Sequence, residues 1–232
     1  MNGNIICSIE GNIGSGKSSI LQFLKSKNYD NVVFVDEPVD LWNLITDKDG
    51  ITILQHFYKS KEKFSFAFQM MAYITRLKMI KEAVKINTNC IIITERCLET
   101  DKNIFEKMLY DEGFINDIEH KIYASWFDEF KEYANVSKII YVGTDPEICS
   151  KRIAKRNRTG ESDIPLDYLK KCHEYHHSWI MGFGCFTLVI DGNLENNKIN
   201  STFNSHIESI ERFLKITQIT ECLDSALWLT GC

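Results

Sequence analysis

The stretch Gly11-Asn12-Ile13-Gly14-Ser15-Gly16-Lys17-Ser18-Ser19 decides the fold. Before it stands Ile5-Ile6-Cys7-Ser8-Ile9, an apolar run of strand length. After it, Ile20-Leu21-Gln22-Phe23-Leu24 continues Ser18-Ser19 as the start of an amphipathic helix. Strand, glycine loop, lysine, hydroxyl and helix in this order form a phosphate-binding P-loop. Gly11, Gly14 and Gly16 let backbone N–H groups turn inward around an anion, and the helix adds the positive end of its dipole. Lys17 can then reach the β- and γ-phosphates, and the Ser18 hydroxyl can hold Mg²⁺. The loop implies a bound nucleoside triphosphate and leaves open what receives the phosphate.

Outward from the loop, apolar runs of strand length alternate with helical stretches. The strands are expected at 4–9, 31–36, 90–95, 137–144 and 186–191. The helices are expected at 16–27, 64–86, 101–110, 116–133, 146–156, 165–181 and 202–215. This alternation predicts an α/β fold, a five-stranded parallel sheet with helices on both faces. Pro146 after Asp145, and Pro165, each open a helix. With no repeat and no low-complexity linker, residues 1–232 read as one domain. The tail from about Thr217 is weakly patterned and carries no assigned function.

The composition sets limits. Apolar residues make up 44% and charged residues 25% of the 232, enough for a full core. A net charge of −5 argues against bulk nucleic-acid binding. No apolar run approaches membrane-spanning length. The first strand begins at about Asn4 and leaves no room for a signal or transit peptide, so the expected compartment is the cytoplasm. The eight cysteines include no C-x-x-C pair and read as reduced thiols.

In a parallel sheet, ligands sit beyond the carboxyl ends of the strands. The second strand runs into Glu37-Pro38-Val39, with Trp42 one turn on. Glu37 could accept the proton of an acceptor hydroxyl, or be only an acid at a helix start. The third strand ends in Glu95-Arg96: an acid that can hold Mg²⁺ and an arginine that can stabilise a transferring phosphoryl group. The run Lys151-Arg152-Ile153-Ala154-Lys155-Arg156-Asn157-Arg158 places Arg152 and Arg156 on one side of a helix end. With the loop that follows, about 151–165, it suits a helical lid that closes over the triphosphate, better than a nucleic-acid patch. On the long central helix, Gln69, Ala72, Tyr73 and Arg76 share one face, where a glutamine and an arginine could read a base edge. Asp101 could partner Arg76. His173, His176 and His177 have no arranged carboxylate or cysteine to complete a metal site.

Five segments in order resemble the deoxynucleoside kinase family: the P-loop, E-P-V-D-L-W at 37–42, F-S-F-A-F-Q at 64–69, E-R-C at 95–97 with Asp101 behind it, and R-I-A-K-R-N-R-T-G-E at 152–161. The resemblance covers about residues 4–192 and implies a P-loop kinase fold. It implies transfer of phosphate from ATP, with Mg²⁺, to the 5′-hydroxyl of a deoxynucleoside for salvage. By resemblance, Glu37 would be the general base, Arg96 would hold the hydroxyl and incoming phosphate, and Glu95 would position the metal with Ser18. Tyr58 and Glu161 would bind the sugar 3′-hydroxyl, and Gln69 the base edge. Phe68, Phe105 and Trp42 would wall the base, with Ile13, Val39 and Leu54 nearby. Arg152, Arg156 and Arg158 would be the lid arginines on the phosphates, and Asp191 would lie near the adenine. Arg76 and Asp101 match the deoxycytidine and deoxyguanosine branch, which favours deoxycytidine or a purine deoxynucleoside over thymidine. Cys97-Leu98-Glu99-Thr100, Met70 and Met71 depart from the family pattern around the base pocket. The resemblance also implies a homodimer packed through two long helices, here 64–86 and 116–133. Two alternatives stand beside this reading. A thymidylate-type monophosphate kinase would need extra basic groups for its acceptor. A nucleotide-binding switch would need a guanine-reading N-K-x-D, whereas Asn197-Lys198-Ile199-Asn200 ends in the wrong residue.

Overall fold

The computed structural model describes residues 3–158, 161, 164–182, 186–194 and 201–218. Five strands form one sheet: β1 Ile5–Glu10, β2 Val32–Val35, β3 Ile91–Glu95, β4 Lys138–Gly143 and β5 Phe186–Asp191. Their order is β2-β3-β1-β4-β5, and every pairing is parallel. The strands are Ile- and Val-rich because both sheet faces are covered. Successive side chains therefore go to opposite cores. Cys7, Ile93 and Ile140 pack against helices α1 (Lys17–Lys25) and α10 (Ser201–Leu214), through Ile20, Leu21, Leu24, Ile207 and Ile210. Ile6, Ile92 and Ile139 face the other way, onto α4 (Lys61–Ile86), α7 (Asp117–Phe130) and α9 (Leu166–Gly182). Tyr73, Ile80, Tyr123 and Phe127 fill that second layer. Each fully buried side chain of this kind contributes roughly 1.5–3 kcal/mol.

All five strands lie within a residue or two of their expected positions. Helix α8 (Pro146–Arg156) starts on its proline as expected, and α4 begins three residues earlier than expected. Two short helices, α2 (Val39–Asn43) and α3 (Ile53–Lys59), were not anticipated, being too short to show a period. Helix α3 had a local signal nonetheless. Thr52 accepts from the Gln55 N–H and Gln55 accepts from the Thr52 N–H, a capping box. Asn116 and Glu119 cap α7 in the same way.

The helix expected over 101–110 is corrected. It runs as α5 (Leu98–Thr100), a π-helical turn (Asp101–Glu106) and α6 (Lys107–Asp111). The wide turn lets Asp101 meet Arg76 and Phe105 reach Arg96, contacts described below. The helix expected over 116–133 ends at Phe130 and tightens into a 3₁₀ turn, Lys131–Ala134. On α7, Phe127 belongs to the core, whereas Ile118, Ile122 and Trp126 are exposed.

Cys7, Cys90, Cys97, Cys149 and Cys172 are buried thiols outside any disulfide. Cys185, Cys222 and Cys232, residues 219–232 of the tail, and Thr159, Gly160, Ser162 and Asp163 of the expected lid lie outside the described residues. Among the described residues, no helix is long and apolar enough to cross a membrane.

Candidate active site

The carboxyl ends of β1, β2 and β3 open onto a cleft of about 360 Å³. The P-loop forms its floor. Gly11 has φ +144° and Gly14 φ +78°, conformations that favour glycine. A Cβ on Gly11 would stand 2.6 Å from the Val142 carbonyl oxygen, and one on Gly14 2.7 Å from that of Cys149. The loop is thus pressed against β4 and α8 with no room for a side chain at either point. Lys17 Nζ donates to the Asn12 carbonyl at 2.7 Å, so the lysine closes over its own loop. Burial, with Arg96 nearby, lowers the Lys17 ammonium to about 8. A phosphate bound in the loop would add counter-charge to that of Glu95 and Glu37.

Ser18 Oγ donates to Glu95 Oε1 at 2.8 Å. Burial, reinforced by the neighbouring Glu37, raises the Glu95 carboxyl. Two hard oxygen donors beside the phosphate loop fit Mg²⁺, which takes one or two protein ligands and completes its shell from phosphates and water. Among the described residues no group of three or more His, Cys, Asp or Glu is arranged for a metal. His176 is buried with Nδ1 2.6 Å from the Cys172 carbonyl.

Across from the P-loop stand Glu37, Arg96 and Arg76. Arg96 Nε donates to Glu37 Oε1 at 3.1 Å, and Arg76 Nη2 lies 3.5 Å from the same oxygen. Burial works against the charged form of Glu37, but Arg96, Arg76 and Lys17 outweigh it and hold the carboxyl below its usual range. Glu37 is ionised. Arg96 follows the last residue of β3 with φ +65°, in the left-handed region. This turn aims its side chain back over β1, where Nη1 donates to the Gly11 carbonyl at 2.9 Å. Its guanidinium lies 4.8 Å from the centre of the Phe105 ring. Arg76 Nε donates to Asp101 Oδ2 at 2.8 Å and Nη1 to the Glu95 carbonyl at 2.7 Å. Both members of that pair are buried.

The far wall is apolar. Phe57 and Phe68 stack at 4.6 Å, and Trp42 meets Phe68 edge-on at 5.5 Å. Trp42 Nε1 donates to Thr75 Oγ1, which fixes the indole. Leu54, Tyr58, Phe105 and Ile13 also line the cleft. Gln69 sits on this wall, 2% exposed, and its amide has no hydrogen-bond partner among the described residues. An amide in that position is completed from the cleft or not at all.

Arg152, Arg156 and Arg158, the arginines expected on a lid, line the same cleft. Arg152 donates to the carbonyls of Ser15, Gly192 and Leu194. Arg156 and Arg158 both pair with Glu161. Burial first, then the nearby Glu161 charge, pushes the Tyr58 phenol well up, so Tyr58 keeps its proton.

Most expected site residues are thus in one cleft. Val39 is not on its wall and packs behind, against the Trp42 cluster. Asp191 is also off the wall: it is exposed at the end of β5 and accepts from the Asn193 N–H. Two lining residues had not been singled out, Phe57 and Tyr168. The capping box at Thr52 could have marked the helix that carries Phe57.

A phosphate loop facing an ionised carboxylate and a buried arginine defines a P-loop phosphotransferase, and the apolar wall fits an uncharged organic acceptor. The family described as "Deoxynucleoside kinase" matches residues 7–215, and the chain belongs to that family. A probable deoxycytidine kinase of Fowlpox virus (strain NVSL) is 38% identical over 176 residues, covering 75% of this chain and 70% of the relative. Deoxycytidine kinase of Homo sapiens is 34% identical over 194 residues, covering 75% and 74%. A mitochondrial deoxyguanosine kinase of Xenopus laevis is 31% identical over 191 residues, covering 75% and 72%. The chain is an ATP-dependent kinase of deoxynucleoside salvage.

Proposed function

We propose that Glu37 is the general base of this kinase and that its acceptor is deoxycytidine or a purine deoxynucleoside rather than thymidine. The observation that carries the first part is the ionised Glu37 carboxylate, bound to Arg96 and facing the P-loop across the cleft. Glu37 takes the proton of the 5′-hydroxyl as its oxygen bonds to the γ-phosphorus. The bond from that phosphorus to the β–γ bridging oxygen breaks, and ADP leaves. Lys17, Arg96 and the lid arginines Arg152, Arg156 and Arg158 balance charge on the moving phosphoryl group. Ser18 and Glu95 would hold Mg²⁺, which would supply charge neutralisation to the transferring phosphates. Tyr58 and Glu161 bind the 3′-hydroxyl, and Gln69 pairs with the base edge. Asp191 and the loop after it, gripped by Arg152 at Gly192 and Leu194, border the adenine.

The buried Arg76–Asp101 pair supports the base preference. Cytosine offers an exocyclic amine that a carboxylate can accept from, whereas thymine offers a carbonyl and a methyl group. The test is phosphate transfer from ATP and from GTP to a panel of deoxynucleosides and their monophosphates. Transfer to deoxycytidine or a purine deoxynucleoside ahead of thymidine is expected. Transfer to monophosphates alone, or to nothing, overturns the reading.

A homodimer through α4 and α7 is part of the proposal. Ile118, Ile122 and Trp126 form an i, i+4, i+8 stripe of exposed apolar side chains on α7, and Ile74 is exposed on α4. Trp126→Glu is expected to halve the mass measured by light scattering while leaving the circular dichroism spectrum intact. A wild-type chain of monomer mass would remove this proposal. The buried thiols outside any disulfide support a reducing compartment, and the cytoplasm is the one proposed.

A further inference from the structure

His173, His176 and His177 are neighbours in sequence but differ in exposure: His173 is half-buried, His177 is exposed and His176 is fully buried. The chemistry above does not use His176. Its Nδ1 lies 2.6 Å from the carbonyl of Cys172, one turn earlier on α9. A carbonyl only accepts, so Nδ1 carries the proton and donates. Nε2 is buried and has no hydrogen-bond partner among the described residues. Burial, with Arg96 and Lys17 nearby, holds the imidazole well below its usual range, so the ring is neutral. An unsatisfied nitrogen in a packed core is a cost that a leucine or phenylalanine would avoid, so filling space does not account for it.

The imidazole stacks on Tyr141 of β4, with ring centres 6.2 Å apart and planes at 28°. It meets Phe105 of the π-helical turn at 85°, again with centres 6.2 Å apart. Perpendicular ring pairs at this separation attract and hold a relative orientation. Phe105 in turn carries the Arg96 guanidinium, 4.8 Å from its ring centre. Tyr141, His176, Phe105 and Arg96 therefore form a row of contacts that leads from β4 to the cleft, where Arg96 donates to Glu37. Nδ1 is tied to the backbone of its own helix and the ring rests on Tyr141, so the imidazole is held against rotation. We propose that His176 is a positioning residue, a fixed buttress that sets the Phe105 ring and, through it, the guanidinium of Arg96. This inference rests on the role given to Arg96 above, in which it meets the charge of the moving phosphoryl group. A neutral ring suits the place, since an imidazolium would compete with Arg96 for the Phe105 ring and repel it.

The test is the kcat of His176→Phe, counted per site that binds deoxynucleoside. The phenyl ring keeps the bulk and loses the Nδ1 anchor. It is expected to lower kcat roughly 10- to 100-fold, with deoxynucleoside affinity largely unchanged. In a Phe105→Leu background the same change is expected to cost nothing further, because the ring through which it acts is gone. An unchanged kcat, a loss confined to affinity, or an equal loss of kcat in both backgrounds overturns the proposal. If His176→Phe does not fold, His176→Asn puts an amide N–H in the place of Nδ1–H and removes the ring. A loss of kcat in the wild-type background and none in Phe105→Leu is again expected, and a wild-type kcat overturns the proposal. Arg96→Met separates the proposal from the reading on which it rests, and is expected to lower kcat at least as far as His176→Phe. If Arg96→Met turns over like wild type, that reading fails and the proposal with it; if only His176→Phe does, the proposal alone fails.

Discussion

Glu37→Gln is expected to lose turnover by a factor on the order of 10³ while deoxynucleoside affinity largely survives. The amide keeps the length and shape of the side chain. Its carbonyl oxygen can still accept from Arg96 Nε, which stands 3.1 Å from Glu37 Oε1. What it lacks is the capacity to take a proton. The ground state is therefore little disturbed and the transition state is deprived of its base, so the loss falls on kcat. Three cations, Arg96, Arg76 and Lys17, hold Glu37 ionised, so no protonated fraction masks the comparison near neutral pH. Steady-state kinetics gives kcat. Quenching of Trp42, fixed on the wall of the cleft, gives affinity. A variant that turns over near the wild-type rate would remove Glu37 from the base role.

Removing Arg76 alone is expected to be the most destabilising substitution at the site. Arg76→Met strands Asp101, which is 2% exposed and pairs with Arg76 Nε at 2.8 Å. Breaking a buried pair from one side costs about 3–5 kcal/mol, because a buried charge is left without compensation. The Glu95 carbonyl also loses its donor. Arg76→Met with Asp101→Ala removes both charges and is expected to be more stable than the single variant. The ordering, double above single in urea denaturation, separates a true charge pair from simple packing. A single variant at least as stable as the double would refute the pairing. The same double variant is expected to raise kcat/KM for thymidine relative to deoxycytidine, since the polar pair proposed to read the base is gone. An unchanged ratio would defeat the proposed basis of base preference.

The sequence was most legible where chemistry and geometry are local. The P-loop needs its glycines, lysine and hydroxyl at fixed spacing, and the strand before it and helix after it are contiguous, so Gly11 to Ser19 could be placed at once. The strands were legible because a sheet covered on both faces demands unbroken runs such as Ile91-Ile92-Ile93. Glu37, Glu95 and Arg96 followed from the rule that sites lie at carboxyl strand ends. What local pattern could not give was pairing across the fold. Nothing in the neighbourhood of Gly11 says that Arg96, 85 residues on, turns back to donate to its carbonyl. That contact exists because β3 lies next to β1 and because Arg96 adopts a left-handed conformation. The mutual pairing of Glu161 with Arg156 and Arg158 was hidden for a related reason: the motif assigns each a ligand partner and does not show that they pair with one another. Phe57 stayed unread because a seven-residue helix shows no period.

The π-helical turn at Asp101–Glu106 bears on the evolution of the pocket. A turn of this kind holds one residue more than an ordinary helical turn. Most of a helix tolerates a change of side chain better than a change of length, and here length itself carries the information. Losing a single residue between 101 and 106 would let the segment relax into regular helix. Everything on one side of the deletion would rotate by about 100° relative to the other. Asp101 and Phe105 could then no longer both face their arginines. Point substitutions can vary the chemistry of this wall step by step, whereas a frame-preserving deletion of one codon would dismantle it at once.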